Sequence, residues 1–144
     1  MELNEKQKQG LQIAVDRYNS GEKCTIISGY AGTGKSTLVK FIISALNVED
    51  KDVVYTSFTG KATQVLAKKG NTNTRTLHKL LFISHPKPDG TYIRIPVTTI
   101  PYKIVVVDEV SMVPKSLMEK LSSYTNIYIL CLCDTFPFAP INKN

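Results

Sequence analysis

Nine residues constrain this chain more than anything else in it: Gly29-Tyr30-Ala31-Gly32-Thr33-Gly34-Lys35-Ser36-Thr37. The run satisfies G-x-x-x-x-G-K-[ST] at every fixed position. An apolar stretch, Cys24-Thr25-Ile26-Ile27-Ser28, precedes it and reads as a buried strand; Leu38 to Leu46 follows and reads as a helix. Glycines allow a turn so tight that successive N–H groups point inward, and a helix N-terminus adds a favourable field for an anion. Strand, glycine loop and helix in this order are the context of a Walker A phosphate loop. The expected cradle runs from Gly29 through Ala31, Gly32, Thr33 and Gly34 to Thr37. Lys35 is expected to reach the β- and γ-phosphates and the Ser36 hydroxyl to ligate Mg²⁺.

The remaining sequence repeats the alternation that builds a parallel sheet. Asn4 to Tyr18 has apolar residues at helical spacing, with Asn4 as N-cap and Asn19-Ser20-Gly21 as a stop. Val53–Ser57 reads as a strand, Gly60 to Lys69 as a helix ended by Gly70, and Thr76 to Phe82 as a short helical turn. Lys103 to Asp108 is a continuous apolar strand of the doubly covered type. Pro114 to Tyr124 reads as a helix and Asn126 to Leu132 as a last strand. Ser84 to Pro101 breaks the rhythm with four prolines, a Pro88-Asp89-Gly90 turn and an alternating run, Thr91 to Ile95. The expected fold is therefore α/β: a mostly parallel sheet with helices on both faces and a small β-hairpin insertion at about 84–101. A length of 144 residues suits one such domain.

The apolar strand ends in Asp108-Glu109, about 70 residues after the glycine loop. Ligands bind at the carboxyl ends of strands in open parallel sheets. An aspartate there suits the Mg²⁺ shell beside Ser36, and the adjacent glutamate suits orienting or deprotonating a water. Lys35, Asp108 and Glu109 thus become candidate catalytic residues for hydrolysis of ATP or GTP. The start of the chain carries no apolar signal segment and no apolar run approaches a membrane span, so a cytoplasmic protein without a membrane partner is expected. Cys24, Cys131 and Cys133 are expected to be reduced and buried; Cys131-x-Cys133 is not a zinc spacing.

The net charge of +6 is segregated. Between Gly60 and Lys103, eight basic side chains (Lys61, Lys68, Lys69, Arg75, Lys79, Lys87, Arg94, Lys103) accompany one acid, Asp89; elsewhere ten accompany eleven. A concentrated basic block suits a polyanionic partner such as nucleic acid, or a solvated face beside a nucleotide site.

Several ordered motifs resemble the N-terminal RecA-like motor domain of superfamily 1 DNA helicases of the RecD/Dda type, over nearly the whole chain. Leu3-Asn4-Glu5-Lys6-Gln7 resembles a glutamine motif, implying that Gln7 reads the adenine edge. Ser57-Phe58-Thr59-Gly60-Lys61-Ala62 and Thr76-Leu77-His78-Lys79-Leu80-Leu81 resemble two motifs on the DNA side. The resemblance thereby implies that Phe58, Thr59, Gly60, Lys61, Thr76 and His78 contact single-stranded DNA. Asp108-Glu109-Val110-Ser111-Met112 resembles the family's narrow Asp-Glu-x-Ser-Met signature. An insertion near the hairpin forms a strand-parting pin in relatives; here Lys87, Tyr92 and Arg94 occupy it, and Phe58 and Tyr92 are stacking candidates. The last motif departs from the pattern. Relatives carry Gly-Asp-x-x-Gln-Leu-Pro-Pro, whereas Cys133-Asp134-Thr135-Phe136-Pro137 stands here, with Pro137 in place of a γ-phosphate-sensing glutamine. Arg17, Arg75 and Arg94 match no arginine-finger motif, so a second motor domain is expected to be supplied from outside this sequence. The resemblance implies a domain binding Mg-ATP and single-stranded DNA, with hydrolysis weak or dependent on that second domain. A non-catalytic nucleic-acid-binding or regulatory module is the alternative.

Overall fold

The computed structural model describes residues 3–29, 34–71 and 73–134. In chain order these form α1 (Glu5–Asn19), β1 (Cys24–Gly29), α2 (Lys35–Ala45), β2 (Val53–Ser57), α3 (Gly60–Lys68), β3 (Thr74–Thr76) and α4 (Leu77–Leu81). They continue with β4 (Phe82–Pro86), β5 (Tyr92–Pro96), β6 (Ile104–Val107), α5 (Lys115–Ser122) and β7 (Tyr128–Asp134). Five strands pair in the order β1-β7-β6-β2-β3, all parallel. Helices cover both faces, as the sequence implies.

The alternation within each strand splits the core in two. Ile27, Val53, Tyr55, Ile104, Val106, Tyr128, Leu130 and Leu132 pack with Ala14 of α1, with Leu38, Val39, Ile42 and Ile43 of α2, and with Leu66 of α3. Val54, Val105, Val107, Ile129 and Cys131 point the other way, against α4, Leu117 and Leu121 of α5, and Tyr124. Both neighbours of each central residue along β6 and β7 are therefore buried, which is why these runs read as unbroken apolar stretches.

Polar groups in this core are paired. The buried Tyr128 hydroxyl donates to the Ala14 carbonyl at 2.9 Å and is hydrogen-bonded to the Thr25 hydroxyl. It fastens α1 to the sheet. Tyr128→Phe removes both bonds but leaves the Thr25 hydroxyl its bond from Arg17 Nε at 3.1 Å, so it is expected to lower stability by about 0.5–1.5 kcal/mol in urea unfolding.

Three details correct the sequence reading. The short strand β3 was not expected: three residues, Thr-Arg-Thr, at the sheet edge carry no apolar period. The hairpin is tighter than 84–101, spanning Phe82–Pro96. Beyond it Val97, Ile100 and Tyr102 return to the core, Ile100 being 1% exposed, and the Val97 amide donates to the Leu81 carbonyl. Only Cys131 is buried; Cys24 and Cys133 are partly exposed, and all three are free thiols. Among the described residues no helix is long and apolar enough to cross a membrane.

Candidate functional site

The carboxyl ends of β1, β6 and β7 lie side by side, and the described end of the expected loop, Gly34 to Ser36, meets the acidic residues there. A cavity of about 490 Å³ is lined by Gly34, Lys35 and Ser36 from the start of α2 and by Asp108 and Glu109 after β6. Ala62, Val65 and Lys69 from α3, together with Leu132 and Asp134 of β7, complete its wall.

Local geometry suits each part to an anion. Gly34 holds φ +84°, ψ +24° at the N-cap of α2, a left-handed conformation that favours glycine. A Cβ there would stand 2.6 Å from Gln7 Nε2. No side-chain hydrogen bond caps α2 and no acid occupies its first turn, so its N-terminal field is not offset by a local negative charge. Lys35 is only 12% exposed. Its Nζ donates to the Gly29 carbonyl at 2.9 Å and lies 2.6 Å from an Asp134 carboxylate oxygen. Gly29 and Asp134 are themselves register partners on β1 and β7, so the sheet sets this contact. Ser36 is exposed on the first turn of α2, followed by the partly buried Thr37. Tyr30, Ala31, Gly32 and Thr33 of the expected cradle lie outside the described residues, as does Pro137.

Asp108 is held by its amide, which donates to the Thr56 carbonyl at 2.9 Å and extends the β2–β6 ladder by one rung. Its carboxyl is half-buried, and desolvation pushes its pKa up; Asp134 adds to this, whereas Lys69, the Glu109 amide and Lys35 pull it down. Glu109 takes φ +50°, ψ +54°, one of two non-glycine residues with positive φ among those described. Such backbone is costly for glutamate, and the short 3₁₀ turn Val110–Met112 fixes it through the Met112 amide, which donates to the Glu109 carbonyl at 2.9 Å. The result is an exposed carboxylate at the cavity wall beside a half-buried one.

Gln7 sits next to this loop in a structural role the sequence reading did not assign. Its amide accepts from the Asn4 N–H at 2.9 Å while the Gln7 N–H donates to Asn4 Oδ1 at 2.8 Å, closing a capping box on α1. Gln7 also lines a second hollow of about 290 Å³ with Asn4, Lys6, Ile27, Gly29, Gly34 and Leu38.

The two expected DNA-side motifs are brought together, because Ser57 and Thr76 are register partners at the ends of β2 and β3. Phe58 and His78 rings lie 5.9 Å apart and His78 stacks on Phe82 at 6.1 Å. Phe58 is partly buried against the core. Thr59 caps α3 by accepting from the Ala62 amide at 3.1 Å, and Thr76 caps α4 by accepting from the Lys79 amide at 3.2 Å. Gly60 opens α3, and Lys61 and Lys79 are exposed at these helix starts. In the hairpin Lys87, Arg94 and Tyr92 are exposed, Tyr92 to 70%. Asp134 and Lys69 are cavity residues that sequence reasoning left out of the site. The spacing Ala62, Val65, Lys69 is one helical stripe and could have signalled that α3 presents that face inward.

An AAA domain model matches residues 2–135. The chain belongs to that family. Within it, this AAA domain is a RecA-like motor domain of the superfamily 1 helicase group that its motifs resemble. It is 30% identical over 127 residues to the ATP-dependent DNA helicase Dda of Enterobacteria phage T4, covering 85% of this chain and 29% of the phage protein. It is 29% identical over 142 residues to the ATP-dependent RecD2 DNA helicase of Deinococcus radiodurans, covering 95% and 19%. The AAA domain thus spans less than a third of the curated relatives it matches. In fold it is similar to Bacteroides sp. Pif1 solved in complex with ADP-AlF4, with TM-score 0.62, 21% identity and coverage of 93% of this chain and 32% of that one. A second Pif1 structure, from work on unwinding of forked double-stranded DNA by two coordinating helicases, gives TM-score 0.61 at 18% identity, covering 93% and 34%.

Proposed function

We propose that this domain binds Mg-ATP and single-stranded DNA as half of a helicase motor. Its hydrolysis of ATP is then weak, or dependent on a second motor domain that supplies an arginine finger. One observation carries the reading: Lys35, Ser36, Asp108 and Glu109, from two separate strand ends, line one cavity.

The donor set suits Mg²⁺. Ser36 and Asp108 offer hard oxygen ligands, and among the described residues no group of three or more His, Cys, Asp or Glu gathers to hold a metal alone. Ser36 and Asp108 would hold the ion together with the nucleotide's own phosphates, and Mg²⁺ when bound supplies charge neutralisation on phosphate oxygens. The start of α2 supplies N–H groups to the phosphates. Lys35 exchanges the Asp134 carboxylate for a phosphate oxygen, which carries more charge in the same place. Glu109 orients a water in line with the terminal phosphate and accepts its proton. Gln7, beside Gly34, supplies an amide to the adenine edge from the smaller hollow.

Single-stranded DNA runs over the ends of β2 and β3. Lys61 and Lys79 contact backbone phosphates, and the Phe58–His78 pair offers an aromatic surface to bases. Both lysines are exposed, so salt should govern the contact. The Lys61→Ala/Lys79→Ala double variant is expected to reduce the slope of log affinity against log salt by about 1 per lysine. Anisotropy of labelled oligonucleotides of unrelated sequence checks this, with the loss expected to be uniform across them.

The whole reading is tested by Mg²⁺-dependent ATP binding and turnover of the purified chain, with and without single-stranded DNA. Metal-dependent binding with slow, DNA-responsive turnover is expected. Salt-sensitive DNA binding with no nucleotide binding would favour the regulatory module instead.

A further inference from the structure

The cavity has a second cation besides Lys35, and it comes from the opposite wall. Lys69 follows α3, on the far side of the Asp108 strand end from the glycine loop, because the sheet order runs β1-β7-β6-β2. It lines the same cavity as Lys35, Ser36, Asp108 and Glu109. Lys69 is the C-cap of α3, and it shares the cavity wall with Val65 and Ala62 of that helix.

The two lysines differ in their engagement. Lys35 is held by Asp134 and the Gly29 carbonyl. Lys69 is exposed, and among the described residues its ammonium enters no ion pair or hydrogen bond. Its field reaches Asp108, where it acts in the direction that favours the ionised carboxylate. Three carboxylates, Asp108, Glu109 and Asp134, face these two ammonium groups across the cavity. An incoming polyphosphate adds more negative charge to this cavity, where Lys69 stands on the α3 wall beside Asp108 and Lys35 on the loop side.

We infer that Lys69 contacts the terminal phosphate of a bound nucleoside triphosphate and sets a preference for triphosphate over diphosphate. The inference rests on the nucleotide reading above and adds to it a residue from a third element of the fold. It also gives α3 two ends with different partners: Lys61 at its start toward nucleic acid, Lys69 after its end toward the phosphate.

Equilibrium titrations of Mg-ATP, a non-hydrolysable ATP analogue and Mg-ADP against the full chain test it. Lys69→Ala is expected to weaken both triphosphates about tenfold, the scale of one charge-assisted hydrogen bond, with little change for ADP. Lys69→Arg should restore triphosphate affinity, and Lys51→Ala, which removes a surface lysine paired with Glu49 at 4.0 Å, should change neither. Equal losses for ATP and ADP, or no loss for either, would overturn the assignment while leaving the nucleotide site intact. Failure of the unaltered chain to bind any of the three ligands would remove the parent reading and this inference with it.

Discussion

Glu109→Gln is expected to lower ATP turnover by about 10²–10⁴-fold while leaving Mg-ATP binding essentially unchanged. The two carboxylates after β6 are adjacent in sequence but unlike in surroundings. Asp108 is half-buried, tied into the sheet through its amide, and raised in pKa by desolvation. Glu109 is exposed on a left-handed turn at the cavity wall. In the proposed function the first helps hold an ion and the second takes a proton from water. Glutamine keeps the shape of the side chain and the strained turn but accepts no proton. Turnover in the presence of single-stranded DNA is the measurement, beside a binding titration. An unchanged rate would move the base to another residue; a matching loss of binding would show that Glu109 holds the nucleotide rather than activating water.

The fold was legible because its signals are periodic. Apolar runs at Val53–Tyr55 and Ile104–Val107, each within a strand followed by a helical pattern, admit few arrangements other than a covered parallel sheet. The glycine loop and the Asp-Glu pair were legible as motifs, and topology then explains why they meet: β7 is inserted between β1 and β6, so the loop and the acids sit two strands apart with Asp134 between them. That insertion is not readable from local pattern, so the Lys35–Asp134 contact was not foreseen. Thr59 and Thr76 illustrate another limit. Sequence resemblance marked them for DNA, yet each hydroxyl caps a helix. Gln7 is similar, since its amide closes the box at the start of α1 and the residue also lines the smaller hollow. Capping and binding draw on the same polar residue types at the same helix starts, so the pattern alone cannot separate the two roles. β3 and the true limits of the hairpin were missed because both depend on what packs against them, as the return of Ile100 to the core shows.

Lys35→Ala is expected to weaken Mg-ATP binding by about 100-fold, the combined effect of losing a charged donor and leaving an anion in its place. The fold should survive. Asp134 is 41% exposed and can hydrate once its partner is gone, and the salt bridge lies at the sheet's end rather than in its core. The unpaired carboxylate then repels incoming phosphates, so the binding loss exceeds the value of a single hydrogen bond. Calorimetric titration of Mg-ATP into the unaltered chain and into Lys35→Ala tests most directly whether the glycine loop and the β6 acids form one nucleotide site. Saturable, Mg²⁺-dependent binding by the unaltered chain that falls about 100-fold in the variant is the predicted result. Equal affinity in the two proteins would contradict it.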